Sequence, residues 1–123
     1  MKEVNLYVEG TYNKTADSGS YTYYLEYKGA IKKCSNTKNG DARSCNRMIL
    51  FGIIDAVKRL NEPCKVNIKT RTSVGFSNPT HSKNKDLLEY FNTMAYERGH
   101  QFEVDDRADF LIVRQWEDAY GLM

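Results

Sequence analysis

The stretch Cys45–Phe76, CNRMILFGIIDAVKRLNEPCKVNIKTRTSVGF, decides the fold of this chain. Its first half has a helical period. Leu50, Ile53, Ile54, Val57 and Leu60 form one apolar stripe, and Met48, Ile49 and Phe51 widen it beyond a single face. A helix over about Cys45 to Leu60, buried on two sides, is predicted. Asn61 to Pro63 stops it, and CKVNIKT (64–70) reads as a short interior strand. A strand reached through a crossover helix pairs in parallel with an earlier strand.

Upstream, residues 3–12 alternate, with Val4, Leu6 and Val8 against Asn5, Tyr7 and Glu9, the pattern of a half-buried strand. A polar turn follows from Asn13 to Gly19. Residues 20–28 alternate again, with Tyr21, Tyr23, Leu25 and Tyr27 on one face and Tyr24 opposite. Gly29 turns the chain into a third strand, Ala30 to Thr37. Downstream, the polar residues 72–84 contain Pro79 and read as loop with one helical turn near Val74. A helix over Lys85 to Arg98 buries Leu87, Leu88, Phe91, Met94 and Ala95, with Gly99 just past its end. A strand at 101–105 and a helix capped by Asp109, apolar along Ile112, Val113, Trp116 and Tyr120, complete the order βββαβαβα. The expected fold class is α/β, one mixed five-stranded sheet flanked by helices, as a single domain over residues 1–123.

Composition narrows the function classes. Hydrophobic residues make up 41% and charged residues 28%, the balance of a globular chain, which argues against disorder. A net charge of +2 permits nucleic-acid binding without specifying it. Cys34, Cys45 and Cys64 show no C-x-x-C spacing, so reduced thiols are expected, and a zinc site with His81 or His100 lacks ligand spacing. The N-terminus is strand-like rather than a signal peptide, and no apolar run spans a bilayer. A cytoplasmic protein with no membrane partner and no cofactor is expected.

In its motifs and their order the chain is similar to ribonuclease H. That family's central helix begins Asn-Asn-Arg-Met-Glu, matched here by Cys45-Asn46-Arg47-Met48-Ile49. Its first strand ends aromatic-x-Asp-Gly-Ser, matched by Tyr7-Val8-Glu9-Gly10-Thr11. Its fourth strand ends Thr-Asp-Ser, matched by Thr70-Arg71-Thr72, and NKDLLEYFNTMAYERGHQFEV resembles its later helix and last strand. The resemblance implies the ribonuclease H-like fold and a site where four carboxylates hold two Mg²⁺ ions for phosphodiester hydrolysis.

Those four positions carry Glu9, Ile49, Arg71 and Glu117. Glu9 keeps a carboxylate on a longer stem, Ile49 offers no ligand, and Arg71 places a permanent cation where the metals would sit. The family's Gly-His loop would fall near Val104 to Phe110, here VDDRADF without histidine, and its basic protrusion has no counterpart in the short stretch Thr72 to Asn84. The resemblance therefore implies a dismantled site with no metal. A Glu9–Arg71 salt bridge, joined by Glu117, would neutralise the remaining acids. Residues matching the family's nucleic-acid contacts are Thr11, Ser44 and Asn46, although helix capping is a sufficient account of Ser44.

Other features have ordinary explanations. Glu103, Asp105, Asp106 and Asp109 suit a solvated, capped helix start better than a cation site. The tyrosine stripe suits sheet packing, and Lys28, Lys32, Lys33 and Lys38 suit a strand edge guarded against aggregation. Three readings follow. The first is an inactive ribonuclease H-like domain that binds nucleic acid, such as RNA/DNA hybrid or duplex. The second is a protein-interaction module on the same scaffold. The third is a nuclease with ligands relocated among Glu9, Glu117, Asp118 and the 103–109 acids.

Overall fold

The computed structural model describes residues 1–120, the Tyr120 side chain excepted, so the place of Tyr120 on an apolar helix face lies outside the described residues. Three strands come first: β1 (Lys2–Asn13), β2 (Ser18–Tyr27) and β3 (Ala30–Asn39). They are followed by α1 (Cys45–Lys58), β4 (Cys64–Lys69), α2 (Lys85–Glu97), β5 (Gln101–Asp105) and α3 (Leu111–Tyr120). The sheet runs β3-β2-β1-β4-β5, with β1–β2 and β2–β3 antiparallel and β1–β4 and β4–β5 parallel. The crossover through α1 is what forces β4 to lie parallel to β1.

One face of the sheet is covered throughout and the other in part. On one, Leu6, Val8, Tyr23 and Ile68 meet Met48, Leu50 and Ile53 of α1 and Leu88 and Phe91 of α2 in one continuous core. On the other, Tyr7 and Tyr24 lie beneath Phe110, Val113 and Trp116. Tyr7 meets the rings of Phe110 and Trp116 edge-on at 5.2 and 5.3 Å. On this face of β1, Tyr7 is buried at 7% exposed, while Asn5 and Glu9 stay partly exposed.

Three local readings are corrected. Val74 sits in the core without a helical turn, and the short 3₁₀ turn falls at Pro79–His81, where proline suits the first helical position. In α3, Ile112 is exposed because the buried ridge runs through Val113 and Trp116, three residues apart. Helix α1 ends at Lys58, with Arg59 as its C-cap, rather than at Leu60. At the end of α2, Gly99 adopts φ +73°, the left-handed conformation that glycine takes without steric cost.

His100, in the turn after α2, is buried and accepts the Cys64 backbone N–H at Nδ1 over 3.0 Å, which ties down the start of β4. Burial, with Arg98 nearby, pushes its pKa below the ordinary 6.5. The folded state thus binds fewer protons than the unfolded state as the pH falls through 6.5. Stability should be full above that value and decline toward acid, seen as a falling urea midpoint. His100→Gln should flatten that dependence, and an unchanged profile would exclude this anchor as its source.

Candidate functional site

The parallel register of β1 and β4 aligns Leu6 with Ile68 and Tyr7 with Lys69. Two residues further on, Glu9 within β1 and Arg71 just past the end of β4 stand side by side. The Arg71 Nη2 lies 2.8 Å from Glu9 Oε1, with 51% and 38% of the two side chains exposed. The guanidinium rests over the Phe110 ring, 4.6 Å from its centre. Phe110 comes from the segment leading into α3, so the second core also supports this arginine.

The pair borders a cavity of about 360 Å³ whose other walls include Thr11, Cys45, Ile49 and Thr72. The N-terminus of α1 can approach this closely because of Gly10, where a Cβ would come within 2.9 Å of the Cys45 carbonyl oxygen. Ile49 is 6% exposed and contributes hydrocarbon to the wall. Glu9 is the one carboxylate lining this cavity among the described residues.

Glu117 does not join the pair. It accepts a hydrogen bond from the Tyr24 hydroxyl on β2 and one from Lys33 Nζ on β3 at 3.2 Å. Helix geometry explains this, since Glu117 lies one turn beyond Val113, on the side of α3 that faces Tyr24. The Tyr24 hydrogen bond, then Lys33, hold its carboxyl below the usual range. Burial and the adjacent carboxylate push the Tyr24 phenol up.

The remaining candidates divide between two places. Thr11 lines the first cavity and shares a 2.7 Å hydrogen bond with Ser20 across to β2. Ser44 is the N-cap of α1, its hydroxyl accepting the Arg47 N–H at 3.1 Å. Asn46 donates to the Ser73 carbonyl at 3.2 Å and accepts from the Thr72 hydroxyl at 3.1 Å. Ser44 and Asn46 border a second, larger cavity of about 550 Å³, together with Ser73, His81, Lys83 and Asn84. Among the described residues no carboxylate lines it.

The acids of 103–109 do not converge. Glu103 faces Lys65 at 3.6 Å, Asp105 accepts the Arg107 N–H, and Asp109 caps α3 by accepting the Leu111 N–H at 2.9 Å. Among the described residues, no three His, Cys, Asp or Glu side chains come together as a metal site would require. The three cysteines are free thiols.

One arrangement escaped the sequence reading. Arg47, 2% exposed, places its guanidinium between Asp86, at 2.8 and 3.0 Å, and Asp41, whose carboxylate and carbonyl it reaches at 3.0 and 3.1 Å. This holds the Asp86 carboxyl at about 2, chiefly through the Arg47 hydrogen bonds. The signal was present, since Arg47 stands three and seven residues before Leu50 and Ile54 on the buried face of α1. The link supports the loop and the α2 start that border the second cavity.

A five-stranded mixed sheet in this order, with a central helix against one face and an acid at the end of β1 beside β4, defines an α/β domain of the ribonuclease H-like fold. The structure resembles that of ribonuclease H1 from Halobacterium salinarum, with a TM-score of 0.61, 14% identity, and 95% of this chain and 92% of that one covered. It also resembles LC11-RNase H1 solved with an RNA/DNA hybrid, with a TM-score of 0.60, 12% identity, and coverage of 85% and 86%. The family model described as RNase H matches residues 1–105, and the chain belongs to that family. Ribonuclease H of Caldicellulosiruptor saccharolyticus is 43% identical over 75 residues, covering 57% of this chain and 47% of its own length. That of Campylobacter curvus is 38% identical over 74 residues, covering 59% and 48%. The chain spans about half the length of the curated relatives it matches. Among the described residues, no helix is long and apolar enough to cross a membrane.

Proposed function

We propose that this chain is a catalytically inactive member of its family that acts by binding nucleic acid. The observation that carries the reading is the Arg71 guanidinium bonded to Glu9 at the metal-binding end of the fold. A pair of Mg²⁺ ions needs several hard, anionic oxygens at short range. Here Glu9 already has a cationic partner, Ile49 presents carbon, Arg71 repels a divalent ion, and Glu117 is held by Tyr24 and Lys33. This donor set does not fit the metal pair.

Binding has separate support. The cavity at Ser44 and Asn46 is lined mostly by polar residues, carries Lys83 and His81, and has no lining carboxylate among the described residues, a composition suited to a sugar–phosphate backbone. One solved structure of this fold holds an RNA/DNA hybrid.

The test is incubation with labelled RNA–DNA hybrid in Mg²⁺ and in Mn²⁺, with binding measured across salt. Salt-dependent binding without cleavage is expected, and Lys83→Ala should lower the slope of log K against log salt by about 0.7–0.9. Cleavage abolished by Glu9→Gln would overturn inactivity. Absence of binding to hybrid and to duplex at low salt would overturn the binding role.

A further inference from the structure

Arg71 faces a second concavity besides the cavity it shares with Glu9. This one, about 260 Å³, is walled by Arg71, Asp109, Phe110, Leu111 and Arg114. Two arginines, from β4's end and from α3, thus border one small hollow. Arg114 is exposed and makes no ion pair among the described residues. The Asp109 carboxylate stands in the same wall, with one oxygen accepting the Leu111 N–H. Arg71 has one polar partner among the described residues, the single Glu9 oxygen, and its flat face is held on Phe110.

We propose that Arg71 and Arg114 together hold one backbone phosphodiester of bound nucleic acid, with Arg71 exchanging Glu9 for the phosphate as the strand docks. The inference rests on the nucleic-acid reading above. Three features make the exchange physically easy. A half-exposed ion pair through one hydrogen bond is weak, so giving up Glu9 costs little. A phosphodiester presents two charged oxygens to a guanidinium fork, a better match than a single carboxylate oxygen. Stacking on Phe110 keeps the guanidinium plane oriented while its partner changes. Arg71 would then take the place of the metals as the cation facing the backbone.

The test compares hybrid binding by the intact chain and by Glu9→Gln, Arg71→Ala, Arg114→Ala and the double arginine variant across salt. Glu9→Gln should bind at least about threefold tighter, because it removes the competitor for Arg71. Each arginine variant should bind several-fold more weakly. The double variant should lose one phosphate's worth of slope, about 0.7–0.9 in log K against log salt, rather than two. Thermal unfolding accompanies each variant, and if Arg71→Ala does not fold, exposed Arg114→Ala and charge-preserving Arg71→Lys carry the comparison. Slopes unchanged by both arginine substitutions, or Glu9→Gln weakening binding as Arg71→Ala does, would overturn the phosphate site while leaving nucleic-acid binding intact. No binding by the intact chain would overturn the parent reading and this inference with it.

Discussion

Asp86→Ala will destabilise the fold by about 3 kcal/mol, whereas Arg47→Met will cost only about 1 kcal/mol. The asymmetry follows from which member of the pair is buried. Arg47 is 2% exposed, while the Asp86 side chain is 56% exposed. Removing Asp86 strands a guanidinium that cannot reach water, with Asp41 and Asn84 left to answer five N–H donors. Removing Arg47 instead releases two carboxylates that hydrate where they stand, and methionine refills the volume with hydrocarbon. The larger change corresponds to a fall in Tm of about 10–15 °C for a domain of this size. Equilibrium urea unfolding of both variants checks the order, and Arg47→Met proving the more damaging would contradict it. The same pair has an acid signature. The Asp86 carboxyl titrates at about 2 when folded and 3.8 when free, so its contribution is full above 3.8 and lost as pH falls toward about 2.

The double variant Ile49→Glu/Arg71→Asp will acquire divalent-cation binding. Both substituted positions line the same 360 Å³ cavity as Glu9, so two carboxylates are added to one that is no longer neutralised by Arg71. Without metal, three like charges in one pocket repel, and the variant should melt below the natural chain. With Mg²⁺ or Mn²⁺ that repulsion becomes attraction, and a Kd of about 1 mM is expected, a free energy of about 4 kcal/mol. At ten times that concentration, linkage restores about 1.4 kcal/mol of stability, about 4–8 °C in Tm. The natural chain and the single Arg71→Ala variant should show no such dependence. Calorimetric titration and thermal scans with and without the ion decide the matter. A Tm of the double variant that ignores Mn²⁺ would mean that the cavity cannot gather the three groups.

Much of this molecule could be read before any coordinates. The period of Cys45–Phe76 places a helix and then a strand parallel to an earlier one, and the resemblance to ribonuclease H implies that its neighbour is β1. The β1–β4 register then brings Glu9 beside Arg71. The nucleic-acid candidates were less legible. Ser44, Asn46 and Thr11 each carry an internal hydrogen bond, and Ser44 and Asn46 share a cavity that Thr11 does not line. Spacing along the chain could not separate them, because the α1 start and the end of β1 meet only after the sheet has formed.

The sequence by itself determined the elements and their order, because side-chain period and turn chemistry are local properties of the chain. Tertiary structure alone decided which side chains meet between elements. Periodicity says which face of α3 is apolar but not how far the helix slides or turns over the sheet, and that placement sends Glu117 to Tyr24 and Lys33 instead of Arg71. It also buries Tyr7 and Tyr24 on a face that β1 alone would leave half exposed, and it encloses Arg47 between the nearby Asp41 and the distant Asp86. An arginine beside Glu9 was legible only through the family's motifs. Its flat seat on Phe110 and its neighbour Arg114 come from the docking of α3.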